Sequence, residues 1–578
     1  MRLFLGLTFL FAASALAQTP AAWVARSNQN AQLLLDFETK YSPEDATEEG
    51  VRGVDENISS LAADQPARER ADLRKIREEL ASRLAKENDR QVKQDLEILI
   101  GAADRSIRSS EAYEKTFIPY TDAGRAIFQG VKVLLDDQMA AERRPAALVR
   151  MKKYSGLTAG FTPFVEQAEA RWREKAKTAG MLGPSKEEVE KSLENTSTYV
   201  NGIGILLEKY KIEGYADAFA KLKQQLAGYD EFVRKEVLPK TRADFRLPPA
   251  IYAINLENVG ADYSAAELER LAHRSFTELQ GQMQELAAKV AKERGFAAGD
   301  YRAVIRELKN EQLKGDDILP RYQRTLADIE GIVRKNNLVT LPARPAIIKI
   351  ASAAETAVQP APHMQPPPLV NNHGERGAFV LPLGTTGADG AALKYDDFTF
   401  AAATWTLTAH EARPGHELQF DAMVEEGVSL ARAYYAFNST NVEGWGLYSE
   451  WFMLPYMPDE GKLVSLQLRL LRAARAFLDP ELQEGKVTPE QAMQVLENDV
   501  VLSKAFATEE VERFTFRMPG QAVSYFDGLT RLLEIREAAE KAMGAKFDVK
   551  KFHDFILSQG LLPPAVLRKA VLEEFAKN

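Results

Sequence analysis

Residues His410 to Gln419 read HEARPGHELQ, which puts two imidazoles and a carboxylate within seven residues. The opening follows the metal-binding helix pattern H-E-x-x-H, in which histidines four apart share one helix face. Here the second histidine arrives at six, after a Pro-Gly pair. In an unbroken helix, residues six apart are rotated by about 240° and separated by roughly 9 Å along the axis, too far to meet on one ion. Pro414 has no N–H to give the carbonyl of His410, and its ring presses on that carbonyl. Gly415 tolerates the dihedrals that a break needs. The pair therefore predicts a local bulge that carries His416 back towards His410. The rival reading is two helix-end or core histidines that are merely close in sequence.

A catalytic zinc held by two histidines takes an acidic third ligand and keeps one position open. The stretch NVEGWGLYSEW, from Asn441, offers Glu443, with Gly444 beside it to let two helices approach closely. Glu450, about two turns on along the same face, would orient a ligand by hydrogen bonding. Glu411 is then the general base that takes a proton from water and passes it to a leaving amine. A second electrophile must meet the developing oxyanion, and Tyr525, flanked by small residues in GQAVSYFDG, is the candidate. Arg472, Arg475 and Arg536 are candidates for bidentate capture of a substrate carboxylate. His553, in KFHDF, would stabilise an oxyanion or pair with Asp554.

These residues need elements to position them. From about Ala21 to Asn337, apolar residues recur three and four apart between charges, as in ERADLRKIREELASRLAKENDRQVKQDLEILIGAADR, which predicts long amphipathic helices. Ser185 followed by Glu188 reads as a capping box. Between Leu338 and Leu393 the chain becomes rich in Pro, Gly and β-branched residues. Residues 346–351 and 378–383 are expected to be short strands, joined by a Pro-rich connection that cannot be helical. The second of these strands is expected to be an edge on which an extended peptide adds itself. Helical periodicity resumes near Tyr395. The expected layout is a leader over 1–17, a helical N-terminal lobe over 18–337, a β and Pro-rich insertion over 338–394, and a helical catalytic region over 395–578.

The 578 residues suffice for a large core and more than one lobe. The first twenty, MRLFLGLTFLFAASALAQTP, have one basic residue, an apolar run and an A-x-A site, the pattern of a secretory signal peptide. An exported chain, periplasmic or secreted, is expected, with no membrane span after the leader. There is no cysteine, so thiolate nucleophiles and Cys-based zinc sites are excluded. The net charge of −9 has no basic block, which argues against nucleic acid as partner.

HEARPGHELQ, then VEGWGLYSEW, then LRAARAFLDP, then the segment from RMPGQAVSYFDG to FILSQGLLPP, stand in the order seen in a bacterial family, domain of unknown function 885, which this chain resembles. Members of that family resemble zinc metallopeptidases of the gluzincin type. The resemblance implies that His410, His416 and Glu443 bind one Zn2+ and that Glu411 is the base. A similar tripeptide in the NEG aminopeptidases supports Glu443 over Glu450 as the ligand. Relatives often carry a further histidine directly after the motif, where this chain has Glu417. The implied fold is mainly α, a helical two-lobed metallopeptidase-like architecture with a small β insertion beside the active-site cleft. The expected activity is hydrolysis of short peptides. The rivals are a non-catalytic metal- or peptide-binding protein and a zinc hydrolase of other amides or esters. Oligomeric state is not legible in the sequence.

Overall fold

The computed structural model describes residues 21–386 and 392–577, and helix dominates them. The predicted leader over residues 1–17 lies outside the described residues. The first long helices among the described residues are α1 (Ala22–Tyr41), α2 (Gln65–Leu84) and α3 (Arg90–Thr116). On α3, Leu96, Leu99, Ala103 and Ile107 recur at helical spacing on the buried face. Asp89 caps that helix by accepting from the N–H groups of Gln91 and Val92. Leu34, Leu73 and Leu80 join them in a core that also takes in Ala431 and Tyr435 from far along the chain.

A second group contains α4 (Ala123–Lys132), α5 (Lys186–Lys209) and α6 (Ala216–Phe232), packed around Ile127, Phe128, Trp172, Tyr199 and Leu226. Ser185 is the cap of α5, its hydroxyl accepting from the Glu188 N–H at 3.2 Å. Two further long helices, α7 (Ala265–Arg294) and α8 (Gly315–Asn336), precede the sheet.

The sheet has the order β1 (Ile347–Ile350), β3 (Ala378–Leu381), β2 (His363–Gln365), with β1 parallel and β2 antiparallel to β3. A ribbon of β4 (Gly384–Thr386) and β5 (Ala392–Lys394) follows. Two expectations are corrected. The connection after β1 does contain helix, Ala353–Val358, closed by a capping box between Ser352 and Glu355; this segment precedes the first proline of the run, so nothing in it blocks a helix. And β3 is the central strand, not an edge. Its four residues AFVL are all buried, the pattern of a strand covered on both faces. β2 is an outer strand, and it is the one that reaches the site described below.

The C-terminal helices include α9 (Ala403–Glu411), α10 (His416–Glu426), α11 (Ser439–Met453), α12 (Asp459–Gln483), α13 (Ser524–Met543) and α14 (Val549–Ser558). Among them α12 is the axis. It lies along α7, and Leu470, Leu471 and Phe477 share one core with Met283 and Val290 of α7, Tyr322 of α8 and Phe379 of β3. The expected boundary at 337 is therefore not a boundary in packing, because α7 and α8 belong to the same core as the C-terminal helices. Periodicity shows which face of a helix is buried but not which partner buries it. Among the described residues no helix is long and apolar enough to cross a membrane.

Candidate metal centre

The helix does not bulge at Pro414. It ends at Glu411 and restarts at His416, with residues 412–415 between and a cis Arg413–Pro414 peptide. Gly415 sits so close to the preceding turn that a Cβ there would lie 1.9 Å from the His410 carbonyl oxygen, so only glycine fits. The carbonyls in this gap are satisfied from α11: Trp445 Nε1 donates to Pro414 O at 3.0 Å, and Ser449 Oγ donates to the same oxygen at 3.2 Å. The break is thus tied down by the indole of the EGW stretch, which fixes α11 against both histidine-bearing helices.

This brings three donors together. His410 Nε2 and His416 Nε2 are 3.1 Å apart, and Glu443 Oε2 lies 3.4 Å from the first and 3.3 Å from the second. Tetrahedral zinc with bonds of 2.0–2.1 Å places its ligand atoms about 3.3 Å from one another. The three separations match the edges of such a tetrahedron, and these residues form the candidate metal-holding cluster. Glu443 Oε2 is buried and makes no hydrogen bond, which leaves its charge directed at the point the imidazoles face. Gly446 completes the geometry: a Cβ there would stand 2.6 Å from His410 Cε1 and 2.8 Å from His416 Cε1, so both rings rest on bare backbone of α11. Gly444, two residues earlier and on another face of α11, meets Gly528 of α13 at similarly close range.

The electrostatics favour a positive charge at this point. Burial opposes protonation of His410, yet Glu443 and Glu450 outweigh it and raise its pKa to about 9. Burial likewise raises Glu443, but the two imidazoles more than compensate and hold it well below the usual carboxylate range. Glu450 is fully buried. It accepts from His410 Nδ1 at 2.7 Å and from Thr406 Oγ1 at 2.5 Å, which directs His410 Nε2 towards the cluster. Glu411 lies 4.0 Å from His410 Nε2, and burial raises its pKa while His410 and His416 oppose the rise.

A cavity of about 210 Å³ opens onto these groups, lined among others by Glu411, Tyr525, Arg472, Arg475 and Arg513. Tyr525 stacks near His410, with ring centroids 6.3 Å apart. Arg513 Nη1 donates to its hydroxyl oxygen at 3.3 Å, and burial raises its pKa, so the phenol keeps a proton to donate. Arg475 is engaged by Glu510 through a bidentate pair at 2.6 and 2.5 Å. Sequence reasoning missed Arg513, Glu509 and Glu510. The spacing of Arg513 three and four residues after the two glutamates was a readable helix-pair signal.

Two sequence candidates lie elsewhere. Arg536 donates to Tyr448 Oη at 2.9 Å and to Glu540 at 2.7 Å, and it does not line the cavity. His553 is fully buried between the rings of Trp445, Tyr448 and Phe452, with Nε2 on Tyr448 Oη at 2.9 Å and Nδ1 on Leu338 O at 2.9 Å. Both nitrogens are used, so it reaches no substrate, and Asp554 pairs with Thr340 and Lys550 instead. Glu417, directly after the motif, forms a buried bidentate pair with Arg413 at 2.6 and 3.0 Å. That pair spans the helix break and anchors the start of α10.

Burial, opposed by the Leu338 carbonyl and aided by Arg536, lowers His553 from 6.5 to about 4. A folded-state pKa below the unfolded value means that the folded chain binds fewer protons between those two pH values, so stability from this group is present above pH 6.5 and is lost towards pH 4. At roughly 1.4 kcal/mol per unit, the loss is about 3 kcal/mol. Denaturant melts of wild type and His553→Asn from pH 7.5 to 4 check this. The stability advantage of the wild type is expected to shrink by that amount as pH falls, and a constant difference would contradict it.

The profile of a family described as bacterial protein of unknown function, DUF885, matches residues 43–571. The chain belongs to this family. Two solved structures share the fold of this DUF885 chain. One, from Shewanella oneidensis, is described as "a putative lipoprotein of unknown function"; it has 19% identity and a TM-score of 0.69, over 96% of this chain and 100% of the other. The second, described as "the putative lipoprotein" from Colwellia psychrerythraea, has 21% identity and a TM-score of 0.74, over 95% and 99%. At these identities the likeness is one of fold alone. No protein with a curated description matches the chain.

Proposed function

We propose that this DUF885 chain is an exported zinc-dependent hydrolase of peptide bonds, with its site in a cleft between helical parts. The observation that carries the reading is the set of three separations of 3.1, 3.3 and 3.4 Å among His410, His416 and Glu443, with Glu411 beside them. His410, His416 and Glu443 would hold the metal, which when bound supplies Lewis acidity for an amide carbonyl. Glu411 takes a proton from the attacking water and delivers it to the leaving amine. Tyr525 donates its proton towards the developing oxyanion, because Arg513 already donates to the phenol oxygen and directs the O–H away from itself. The buried surroundings keep bulk water from competing for these donors.

Export rests on the leader pattern of the first twenty residues. This chain has no cysteine through which a thioether-linked lipid could be attached.

The test is elemental analysis of the purified chain beside His416→Ala and Glu443→Ala, followed by release of free amine from peptides. A single zinc per chain is expected in wild type and none in either variant. A wild type that stays metal-free after dialysis against zinc would overturn the reading. A zinc-loaded wild type that releases no amine from any peptide would reduce it to metal binding.

A further inference from the structure

Three guanidiniums line the cavity beside the metal cluster, and their bonding separates them. Arg475 has its fork filled by Glu510. Arg513 is divided among Glu509 at 3.2 Å, Gln521 at 3.2 Å and Tyr525 Oη at 3.3 Å. Arg472 is different. It is only 5% exposed, and among the described residues its one hydrogen bond runs from Nη1 to the Leu468 carbonyl at 3.2 Å, while its Nε has no hydrogen-bond partner. The nearest carboxylate, Glu450, is 3.8 Å from Nη2 and already accepts from His410 and Thr406. A buried guanidinium without a hydrogen-bonded anion is costly, and a fork with free donors is the group best shaped to take a carboxylate.

The rest of the cavity fixes what arrives with that carboxylate. Phe398, Leu407, Leu468 and Phe506 make an apolar wall, and about 210 Å³ suits one side chain. By contrast, the wall at Gln359, His363, Met364 and Pro366 is shared with a second cavity of about 430 Å³, which has room for a longer chain.

We propose that Arg472 receives the free α-carboxylate of the last residue of a peptide, which makes this chain a carboxypeptidase with preference for a large apolar C-terminal residue. The proposal rests on the hydrolase reading above. The C(O)–N bond before the last residue breaks, and a bond from the water oxygen to that carbonyl carbon forms. One water proton ends on the leaving amine, and the products are a shortened peptide and a free amino acid. The acyl part of the substrate passes the outer strand β2 towards the larger cavity.

The test uses benzoyl-glycyl-L-phenylalanine and its C-terminal amide with the zinc-loaded full chain. Wild type is expected to favour the acid at least tenfold in kcat/KM. Arg472→Gln is expected to keep its zinc, to raise KM for the acid more than it lowers kcat, and to bring the acid-to-amide ratio near one. Arg472→Lys, which keeps the charge and loses the fork, should recover part of the preference. Equal use of acid and amide by wild type would overturn the proposal, as would variants whose zinc content falls and whose ratio does not change, since that would make Arg472 a support for Glu450. Calorimetric binding of both compounds separates the two readings: acid-selective binding without turnover of either would sink the hydrolase and leave the Arg472 contact standing.

Discussion

Glu411→Gln is expected to slow amine release by about 10²–10⁴-fold while the chain still holds its zinc. The substitution keeps the shape of the side chain and removes its capacity to accept a proton. Glu411 stands 4.0 Å from His410 Nε2 and is not one of the three donors, so the cluster of His410, His416 and Glu443 is left intact. Its environment is what a base needs: burial raises its pKa, and the charges of His410 and His416 keep that rise in check. Paired measurement of zinc content and kcat decides the matter. A variant that turns over as fast as wild type would remove Glu411 from the chemistry and leave the proton to another group. A variant that loses zinc would make the residue structural.

Gly446→Ala is expected to weaken zinc binding by about 10–100-fold, the range found when the support of a ligand is disturbed. Helix propensity alone predicts the reverse of damage, since alanine in place of an interior helical glycine is favourable by about 1 kcal/mol. The geometry overrides this. A methyl group 2.6 Å from His410 Cε1 and 2.8 Å from His416 Cε1 must push both rings off α11, and the rings carry two of the three donors. Competition for zinc against a chelator, alongside thermal melts of the metal-free forms, distinguishes the outcomes. Weaker zinc with an unchanged or higher melting temperature is expected. Unchanged affinity would mean that the imidazoles do not depend on this contact.

The legibility of the site differs residue by residue. His410, Glu411, His416 and Glu443 can be picked out because two of the chain's six histidines stand six apart with a glutamate beside the first, the Pro-Gly pair marks an interruption, and Glu443 stands beside a glycine in a later helix. What the interruption does was less clear. A bulge was expected, whereas the helix stops and starts again, because carbonyls freed at Pro414 find Trp445 and Ser449 on another helix. The EGW stretch thus has two jobs, a donor from Glu443 and a tie from Trp445, and only the first could be read from residue type. Arg413 and Glu417 have the spacing of an ordinary surface helix pair, yet they are buried across the break.

The arginines and His553 show the same limit. Arg472, Arg475 and Arg536 look alike in sequence. Their availability depends on Glu510 and on Tyr448, residues far away along the chain. His553 has the neighbours of a catalytic histidine on its own helix, but Trp445, Tyr448 and Phe452 of α11 enclose it.

By itself the sequence determined the mainly helical class, the family, and the donor types brought near one another. Those depend on local periodicity, on residue chemistry and on short spacings, all of which act within a few turns of chain. Only the tertiary structure decided that α7 and α8 share the core of the C-terminal helices, that β3 is central while β2 borders the site, and that one arginine of three is left with free donors. Each of these is a choice of partner across long stretches of chain. Such choices are made by packing and by competition for hydrogen bonds, and the pattern of any one segment is compatible with several of them.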